Sequence, residues 1–582
     1  MTSRLLSPSD TGSAFAILEI SEFSGLNTRD KGMSRTPDEA SSLKNIILKG
    51  RGFEKRAGSA VFGAAQTGSK VVGLGALTQD SGVTPLMMVN QTLFKYVSSA
   101  WAAGDKTNYT ANLDTSIVTM TTKSGSSLDS GTTSSGTTPY LIEDSSKSWT
   151  PGQHIGRCVL ILGEVKLITD NTSTILFLGD KLNGDTASVY QTIAYSIFAV
   201  APFAFIANGT DAVQKYNLTT TTPIDGTHVS GGKALPLFKF LSTHQGRMVG
   251  STGTGDKNDR VFFTDQGIGE NMTVDTNLNI NLNFFNDGDE VSAHGSLPLA
   301  NGSALLVTKT RSVHAVEGTN ILNYASRPVF SSVGCIAPKT FKILGTNAFF
   351  LSHLGVMSIG NSEAQRGVLD DPLPISLPIQ EEIDALTTAQ KTNACAQFFG
   401  NRYYIQIGSR CWYYDLEQSL RQQRHVWLNG TFPYGFNIFA EIDGAFYGGN
   451  QLSGQAYTIL TGTQDGSTNV TMQWESSDIS IPGMPSVWVE NVEITAEESA
   501  STMLRLQIAT DGGSYGSIIG HALDNESRVY VFPIRKYCKN FRLRLTETGS
   551  ETPVRIHLPI RVYYGSSEYG ESGSKDSSLT PA

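Results

Sequence analysis

The fold is decided by the stretch between Ala394 and Leu460, because one pattern of short strands and tight turns occurs in it twice. From residue 395 it reads CAQFFGNRYYIQIGSRCWYYD, and from residue 436 it reads FNIFAEIDGAFYGGNQLSGQAYTIL. Short aromatic and β-branched runs alternate with turns such as Gly400-Asn401 and Asp443-Gly444. These turns need residues that tolerate a positive φ, and the runs between them suit pleated, half-buried strands. The stretch therefore predicts an antiparallel β-meander.

Five further units of the same kind precede this stretch. Each pairs two short apolar runs across a turn, and they begin near residues 86, 204, 247, 304 and 348. From residue 204 onward the units are roughly 40 to 60 residues apart, which is close to the length of a four-stranded propeller blade. The sequence thus predicts an all-β chain built on a β-propeller of about six to eight blades. We expect the strand Phe15–Ile20 to complete the last blade by pairing with Ala456–Leu460.

The bulk composition agrees with a turn-rich β protein. The chain of 582 residues has 58 Gly, and 17% of its residues are charged. Its net charge of −9 argues against nucleic-acid binding as the main activity, because no basic excess is available to neutralise phosphates. The five cysteines are scattered without C-x-x-C spacing, which favours buried, reduced thiols in a protein made in a reducing cytoplasm. No signal peptide or membrane span is recognisable in the sequence.

The most distinctive local text lies near the N-terminus. It contains GLNTRD (25–30), TPDEA (36–40), LKNI (43–46) and GFEKRAG (52–58). By themselves these residues predict a turn, a short capped helix beginning at the Pro-Asp-Glu-Ala run, and a strand. Their order resembles the N-terminal segment of the β-propeller tail-accessory or nozzle proteins of short-tailed bacteriophages. That family usually has Pro where this chain has Ala57.

Three other segments carry the same resemblance. EDSSKSWTPGQHIGR (143–157) is similar to the opening of small β modules inserted in phage structural proteins. RVFFTDQG (260–267) and VGCIAP (333–338) are similar to segments of the tail family, in which the second commonly precedes a blade. The resemblance implies a virion component, a ring of six copies that extends the DNA channel below the portal and adaptor, retains the genome and then lets it leave.

The predicted domain organisation combines the strand pattern with the changes in composition along the chain. The C-terminal strands alternate cleanly between apolar and polar residues, which indicates a sandwich covered on one face. A run of Ser, Thr and Gly after residue 120 indicates a flexible linker. The predicted parts are an N-terminal segment for adaptor contact and blade closure (1–60), a first blade (61–120), a linker (121–138), an inserted β module (139–195), the propeller body (196–462), a β-sandwich (463–564) and a flexible tail (565–582).

Motifs for catalysis are weak. Gly512–Gly516 matches the nucleophile elbow formally, but no helix follows it, so a turn is the better interpretation. Gly226–Lys233 is close to a phosphate-binding loop, but Ala234 stands where Ser or Thr is needed to bind the metal. His353 and His425 are isolated in the sequence and are interpreted as ordinary satisfied histidines.

Three other groups of residues admit both a structural and a functional interpretation. The acidic loop Asp287–Glu290 is a solvated surface loop, a cation site with oxygen ligands or part of a carboxylate pair. The helix predicted over Pro378–Gln390 is a connector between blades or a docking helix. The aromatic residues that could stack on sugars, and that alternate on strands as core residues also do, are Trp412, Tyr413, Tyr414, Tyr434 and Phe446.

The sequence therefore predicts a structural tail protein with no catalytic, cofactor-binding or metal-binding residues, and not an enzyme. The partners implied by the resemblance are other copies of the chain in a hexamer, the head-to-tail adaptor ring, needle, plug or fibre proteins, and viral DNA passing without sequence-specific contact. The implied location is the virion tail, after synthesis in the host cytoplasm. The alternative is a tail propeller that binds or degrades glycans and reads the host surface.

Overall fold

The structure is a computed structural model in which short β-strands dominate. It describes residues 3–6, 15–30, 34–104, 106–111, 113–161, 164–179, 182, 191–225, 235–252, 258–264, 267, 269–270, 272, 279–281, 289–299, 302–318, 323–360, 373–497, 502–523, 528–549 and 554–565. No helix among these residues is long and apolar enough to cross a membrane.

Seven antiparallel sheets follow one another along the described chain, and their blade strands lie in sequence order except for the outer strand of the seventh, which comes from the N-terminal region. We number them blades 1 to 7. Blade 1 comprises Val71–Gln79, Gly82–Val89, Thr92–Val97 and Ala100–Ala103, and blade 2 comprises Ser116–Thr132, Ala194–Ala207, Gln214–Tyr216 and Thr221–Pro223. Blade 3 comprises Phe240–His244, Arg247–Ser251, Arg260–Phe263 and Asn279–Asn281, and blade 4 comprises Val291–Leu299, Gly302–Lys309, Val313–Glu317 and Ala325–Phe330. Blade 5 comprises the three strands Lys342–Leu344, Asn347–Ser352 and Gly355–Gly360. Blade 6 comprises Cys395–Phe399, Arg402–Ile407, Arg410–Asp415 and Trp427–Gly430, and blade 7 comprises Phe436–Ile442, Ala445–Asn450, Gly454–Ile459 and Ser59–Gln66.

The first strand of each blade lies innermost, and these seven strands form a closed ring. Each contacts the first strand of the next blade, and the first strand of blade 7 contacts that of blade 1. Buried apolar clusters fill the spaces between neighbouring blades. The predicted all-β propeller is confirmed, and the described residues form seven blades.

The strand that closes the ring is not the one predicted. Ser59–Gln66 pairs antiparallel with Gly454–Ile459 and so supplies the outer strand of blade 7. Ala16–Ile20, which was expected in that place, pairs instead with Arg555–Gly565 in the sandwich. The prediction was wrong because several strands of the N-terminal region could pair with the open edge of blade 7. Ser59–Gln66, the strand with which the chain leaves the sandwich, takes that edge, and Ala16–Ile20 stays paired inside the sandwich.

Blade 2 carries the inserted module on an elongated hairpin. Ser116–Thr132 pairs with Ala194–Ala207 along its whole length, so the predicted linker over 121–138 is wrong for most of that range. Its Ser, Thr and Gly residues are held by backbone pairing to an apolar partner strand, which their composition does not reveal. The far half of the hairpin continues into the strands Cys158–Ile161, Glu164–Asn171, Ile175–Leu178 and Leu141–Glu143.

The predicted C-terminal sandwich is present, and the N-terminal segment contributes strands to both of its sheets. One sheet consists of Ser3–Leu6, Ala16–Ile20, Arg555–Gly565, Val487–Glu497 and Arg528–Cys538, with the hairpin Ile46–Lys49 and Gly52–Lys55 at one side. The other consists of Ala40–Lys44, Met472–Ser476, Phe541–Glu547, Met503–Thr510 and Ile519–Ala522. Side chains of both sheets and of blades 5 to 7 share one buried core.

Short helices occur only as connectors in the described chain. The predicted helix over 378–390 is divided into a 3-10 turn, Leu377–Ile379, and the helices Gln380–Asp384 and Thr388–Thr392, the second of which Thr387 caps. Leu416–Gln422 follows blade 6's third strand, and the 3-10 turn Pro338–Thr340 precedes blade 5. The short helix predicted at TPDEA is wrong: Pro37 and Asp38 form a turn, and a strand begins at Ala40.

Candidate functional site

The inner strands of the propeller line an open axial cavity, which we define as two adjoining spaces. The space near the blade-connecting loops has a volume of about 250 Å³ and the one below it about 390 Å³. Residues that line both include Leu241, His294 and Lys342, so the two spaces adjoin. Because every loop from one blade's outer strand to the next blade's inner strand ends at this face, residues distant in sequence meet here.

A polar triangle lies at the mouth of the axial cavity. Lys339 Nζ lies 3.0 Å from Asp114 Oδ2 and donates to Asn437 Oδ1 at 2.9 Å. Asn437 Nδ2 donates to Asp114 Oδ1 at 3.2 Å and to the carbonyl of Val71 at 2.8 Å. The triangle joins the loops before blades 2 and 5 to the inner strand of blade 7.

Two further lysines line the cavity. Lys239 immediately precedes the inner strand of blade 3, and its Nζ lies 5.3 Å from the centroid of the Phe240 ring. Lys342 begins the inner strand of blade 5, and burial lowers the pKa of its ammonium group. Burial raises the pKa of the nearby Cys395 thiol to about 12, so that thiol is neutral and provides no counter-charge at neutral pH. Asp114 is the carboxylate that the described lining residues supply.

The inner strands of blades 3 and 4 face each other through two crossed serine–histidine pairs. Ser242 Oγ lies 2.6 Å from His294 Nδ1, and His244 Nδ1 lies 2.9 Å from Ser296 Oγ. The residues are two apart on each strand, so all four side chains lie on facing sides, as strand geometry requires. Burial lowers the pKa of His294 to about 4 and that of His244 to about 4, so both imidazoles are neutral at pH 7.

A second cavity, of about 490 Å³, lies where the N-terminal segment meets blade 6. We call the contact of residues 23–58 with blade 6 and the sandwich the seam. GLNTRD crosses blade 6 here: Leu26 N–H donates to the carbonyl of Trp427 at 2.7 Å, and Thr28 N–H to that of Pro378 at 2.8 Å. Gly25 has φ +84°, and a Cβ added to it would lie 2.6 Å from the Trp427 oxygen, so only glycine fits.

Adjacent residues of the GFEKRAG motif fix the seam from both sides. Lys55 Nζ lies 2.7 Å from Glu547 Oε2 of the sandwich, and neither side chain is exposed. Arg56 binds both carboxylate oxygens of Asp465, at 2.6 and 3.1 Å, and donates to Asn45 Oδ1 at 2.8 Å. A bidentate guanidinium–carboxylate pair is the strongest geometry for a buried ion pair. One strand end thus holds the sandwich with one side chain and the propeller with the next.

The structure places the predicted aromatic residues mainly in the core. Trp412, Tyr413 and Phe446 are almost fully buried, and Tyr414 is 8% exposed. Tyr434 is half-buried and stacks on Tyr457 with ring centroids 3.9 Å apart. The interpretation of these residues as core residues is therefore confirmed for Trp412, Tyr413, Tyr414 and Phe446.

The remaining candidates do not come together. His353 is exposed in a turn, whereas His425 lines the seam cavity, where burial lowers its pKa and its Nδ1 lies 3.2 Å from Tyr414 Oη. Asp289 accepts from the backbone of Arg311 at 2.8 Å and so caps a turn. Gly512 has φ +73° in a turn, as predicted. Residues 226–234 and 287–288 lie outside the described residues.

No group of three or more His, Cys, Asp or Glu side chains among the described residues is placed to hold a metal ion. The functional candidates that the sequence did not reveal are Asp114, Lys239, His294, Lys339 and Lys342. Each is isolated in the sequence and belongs to no motif. The signal that could have found them is positional, because each lies in, or at most three residues before, an inner strand.

No family model and no curated protein matches this chain. Among solved structures, the exo-β-1,3-galactanase of Phanerochaete chrysosporium is 11% identical over 87% of this chain and 100% of its own, with a TM-score of 0.21. A family 43 arabinoxylan arabinofuranohydrolase of Bacillus subtilis is 10% identical over 74% of this chain and 99% of its own, with a TM-score of 0.18. The WD40 domain of SCAP from fission yeast is 6% identical over 97% of this chain and 98% of its own, with a TM-score of 0.16.

These comparisons contradict the prediction that the chain is not an enzyme, because the matched structures include glycoside hydrolases. At these TM-scores the likeness carries no argument for a particular activity, and the assignment of the fold rests on the strand pairing described above. What stands is a seven-bladed propeller with an axial cavity and a clamped sandwich.

Proposed function

We propose that this chain is a tail protein of a short-tailed bacteriophage and forms the nozzle ring that extends the DNA channel below the adaptor. The observation that carries the proposal is the position of the residues that resemble the tail family. GLNTRD and GFEKRAG form the seam, and VGCIAP turns the chain from blade 4 into blade 5. The resemblance therefore concerns residues that join the propeller to the sandwich and one blade to the next.

Rigidity is what a ring that retains packed DNA requires of its subunits. A subunit that hinged between propeller and sandwich would let the channel yield under the pressure of the genome. The shared core of sandwich and blades 5 to 7, together with the buried pairs of Lys55 and Arg56, opposes such a hinge. In this proposal six copies surround the channel, the adaptor ring lies above them, and needle, plug or fibre proteins lie below. The net charge of −9 favours passage of DNA without tight binding.

Electron microscopy of tail-less particles mixed with the purified chain tests this proposal. We expect a six-fold ring below the adaptor that contains one propeller for each copy. Particles to which the chain does not add, or to which it adds only as separate knobs at the periphery, would contradict the nozzle role. A variant with Arg56→Ala serves as the matched test of rigidity, and we expect it to add to particles less efficiently or to form blurred rings.

The second candidate function is recognition or degradation of host-surface glycan, and the axial cavity favours it. The cavity combines apolar walls with convergent polar side chains, which is the usual composition of a small-molecule site. Binding of fluorescently labelled host polysaccharide and release of reducing ends both test it. An Asp114→Asn variant tests the carboxylate at the mouth, and we expect it to lose any hydrolysis that takes place there. Absence of both binding and release with the unmodified chain would contradict this candidate.

A further inference from the structure

The axial cavity has an excess of positive charge in a chain whose net charge is negative. Lys239, Lys339 and Lys342 line it; Lys239 lies at the entry to blade 3, and Lys339 and Lys342 lie at the entry to blade 5. The described lining residues supply one carboxylate against these three ammonium groups, and that carboxylate already pairs with Lys339. The whole chain has a net charge of −9. A local excess of cations in a cavity, against the overall charge, marks a place where an anion is stabilised.

Lys342 forms no ion pair among the described residues, and burial lowers the pKa of its ammonium group. Its side chain lines both spaces of the cavity and is partly buried. Within the described part of the chain it has no hydrogen-bond or ion-pair partner, and Cys395 beside it is neutral. A partly buried ammonium group without a counter-ion is stabilised when an anion binds beside it.

His294 adds an independent polar group to the same wall. It is 6% exposed, and its Nδ1 is engaged by Ser242 Oγ at 2.6 Å. Its Nε2 is buried and has no hydrogen-bond partner among the described residues. Because burial lowers the pKa of His294 to about 4, the neutral ring presents at Nε2 either one donor or one acceptor, which suits a hydroxyl group.

The rest of the wall is apolar. Val72, Leu74, Phe240, Phe341 and Ile438 line the upper space. A hydrated inorganic ion gains little from such a surface, whereas a pyranose ring has apolar C–H faces together with hydroxyl groups. The wall therefore favours an anion carried on a sugar over a free anion.

We propose that the axial cavity binds an acidic sugar unit of a polysaccharide, with its carboxylate beside Lys342 and Lys239 and a hydroxyl group at His294 Nε2. This inference deepens the second candidate function and rests on it. Lys339 is the positioning residue at the mouth, because its ammonium group is held by Asp114 and Asn437. A space of about 250 Å³ accommodates a small unit and not a folded chain.

Calorimetric titration of the full chain with three probes tests the proposal. The probes are a galacturonate trisaccharide, the corresponding neutral galactose trisaccharide and inorganic phosphate. We expect binding of the galacturonate that is at least about tenfold tighter than that of either other probe, because it alone offers both a carboxylate to the lysines and apolar C–H faces to the wall. Lys342→Met should weaken galacturonate binding by about tenfold or more, and Lys342→Arg should restore most of it. Lys539→Met, at an exposed turn of the sandwich, is the matched control and should bind as the unmodified chain does.

The outcomes separate this inference from the function on which it rests. Equal binding of the two trisaccharides would leave glycan recognition standing and overturn the acidic class. Binding of phosphate alone would overturn the sugar, and binding of none of the probes would overturn the site. Galacturonate binding that Lys342→Met leaves unchanged, in a variant that melts as the unmodified chain does, would also overturn the site.

Discussion

The seam and the axial cavity both contain buried charges, but they treat them differently. In the seam, Arg56 and Lys55 each face a carboxylate at 2.6 and 2.7 Å, and further polar groups occupy the remaining hydrogen-bonding positions. In the cavity, Lys342 and the Nε2 atom of His294 have no partner among the described residues. The number of charged groups in each place is similar. What differs is whether the fold itself satisfies them.

This difference distinguishes groups that hold the structure together from groups that await a ligand. A buried pair is costly to break because the partner that remains is left uncompensated. A buried group that the fold leaves unsatisfied costs stability already, and proteins tolerate such groups mainly at functional sites. Substitutions should therefore have opposite effects in the two places, and that contrast can be measured.

The largest effect is expected in the seam. Asp465→Ala removes the two carboxylate oxygens that accept from Arg56, one of which also accepts from Ser59 Oγ at 2.7 Å. The buried guanidinium group is then uncompensated, and we expect the free energy of unfolding to fall by about 3–5 kcal/mol. Equilibrium unfolding in urea, followed by tryptophan fluorescence, measures the change.

An exposed pair of the same region is the matched control. Lys49 is 59% exposed and lies 3.2 Å from Glu54 Oε2 on the neighbouring strand. Solvent screens such a pair, so Lys49→Met should cost less than about 1 kcal/mol. Similar losses for Asp465→Ala and Lys49→Met would show that the seam pair has no special role.

The next effect concerns pH and belongs to the cavity. Burial lowers the pKa of His294 to about 4, whereas in the unfolded chain it is about 6.5. The unfolded state therefore binds more protons between these values, and the stability that neutral His294 contributes is present above pH 6.5 and is lost as the pH falls towards 4. The loss is on the order of 3 kcal/mol over that range.

Urea unfolding at several pH values between 7 and 4.5 measures this dependence. His294→Gln should reduce the slope of the free energy of unfolding against pH near pH 5 by the amount that corresponds to about one bound proton. The carboxylates titrate alike in both proteins and so do not change this difference. His244, whose pKa burial also lowers to about 4, allows the same comparison on the facing strand. A slope that His294→Gln leaves unchanged would mean that His294 is charged or exposed in the folded protein.

These regions also differ in how far the sequence predicts them. The hairpins of blades 6 and 7 are local, because strand, turn and strand lie within a few residues, and their alternation was recognisable. The closing pair is not local: Ala60 pairs with Thr458, and Ser59–Gln66 is rich in Ala and other small residues. Nothing in its composition marks it as an edge partner, whereas the more apolar Ala16–Ile20 looked better suited.

The axial cavity could not be predicted for a related reason. Asp114, Lys239 and Lys339 lie far apart along the chain, and only ring closure brings them to one mouth. GLNTRD and GFEKRAG, by contrast, were recognisable as motifs, but their physical role was not. Gly58 illustrates this, since a Cβ there would lie 1.9 Å from the Gln464 oxygen, a contact with a strand that begins about 400 residues later.

A smaller effect is expected at the mouth of the cavity. Lys339→Met breaks the pair with Asp114, whose side chain is 41% exposed, and the bond to Asn437. Because water can solvate Asp114 in the variant, we expect a loss of about 1 kcal/mol or less in the free energy of unfolding. Thermal unfolding of Lys339→Met, compared with that of Asp114→Asn, measures this loss. A loss as large as that of Asp465→Ala would mean that the Lys339–Asp114 pair is structural, like the ion pairs of the seam.

The smallest effect has the opposite sign and is the sharpest test of the comparison. Lys342→Met keeps the length and the apolar stem of the side chain but removes an ammonium group that the described residues leave uncompensated. Relief of desolvation should then leave the free energy of unfolding unchanged or raise it by up to about 1 kcal/mol, as when an unfavourable charge in a functional site is replaced. Urea unfolding at pH 7 measures the difference, with Lys342→Arg as the control that retains the charge. A loss of more than about 1 kcal/mol would mean that Lys342 has a structural partner, and the cavity would then resemble the seam.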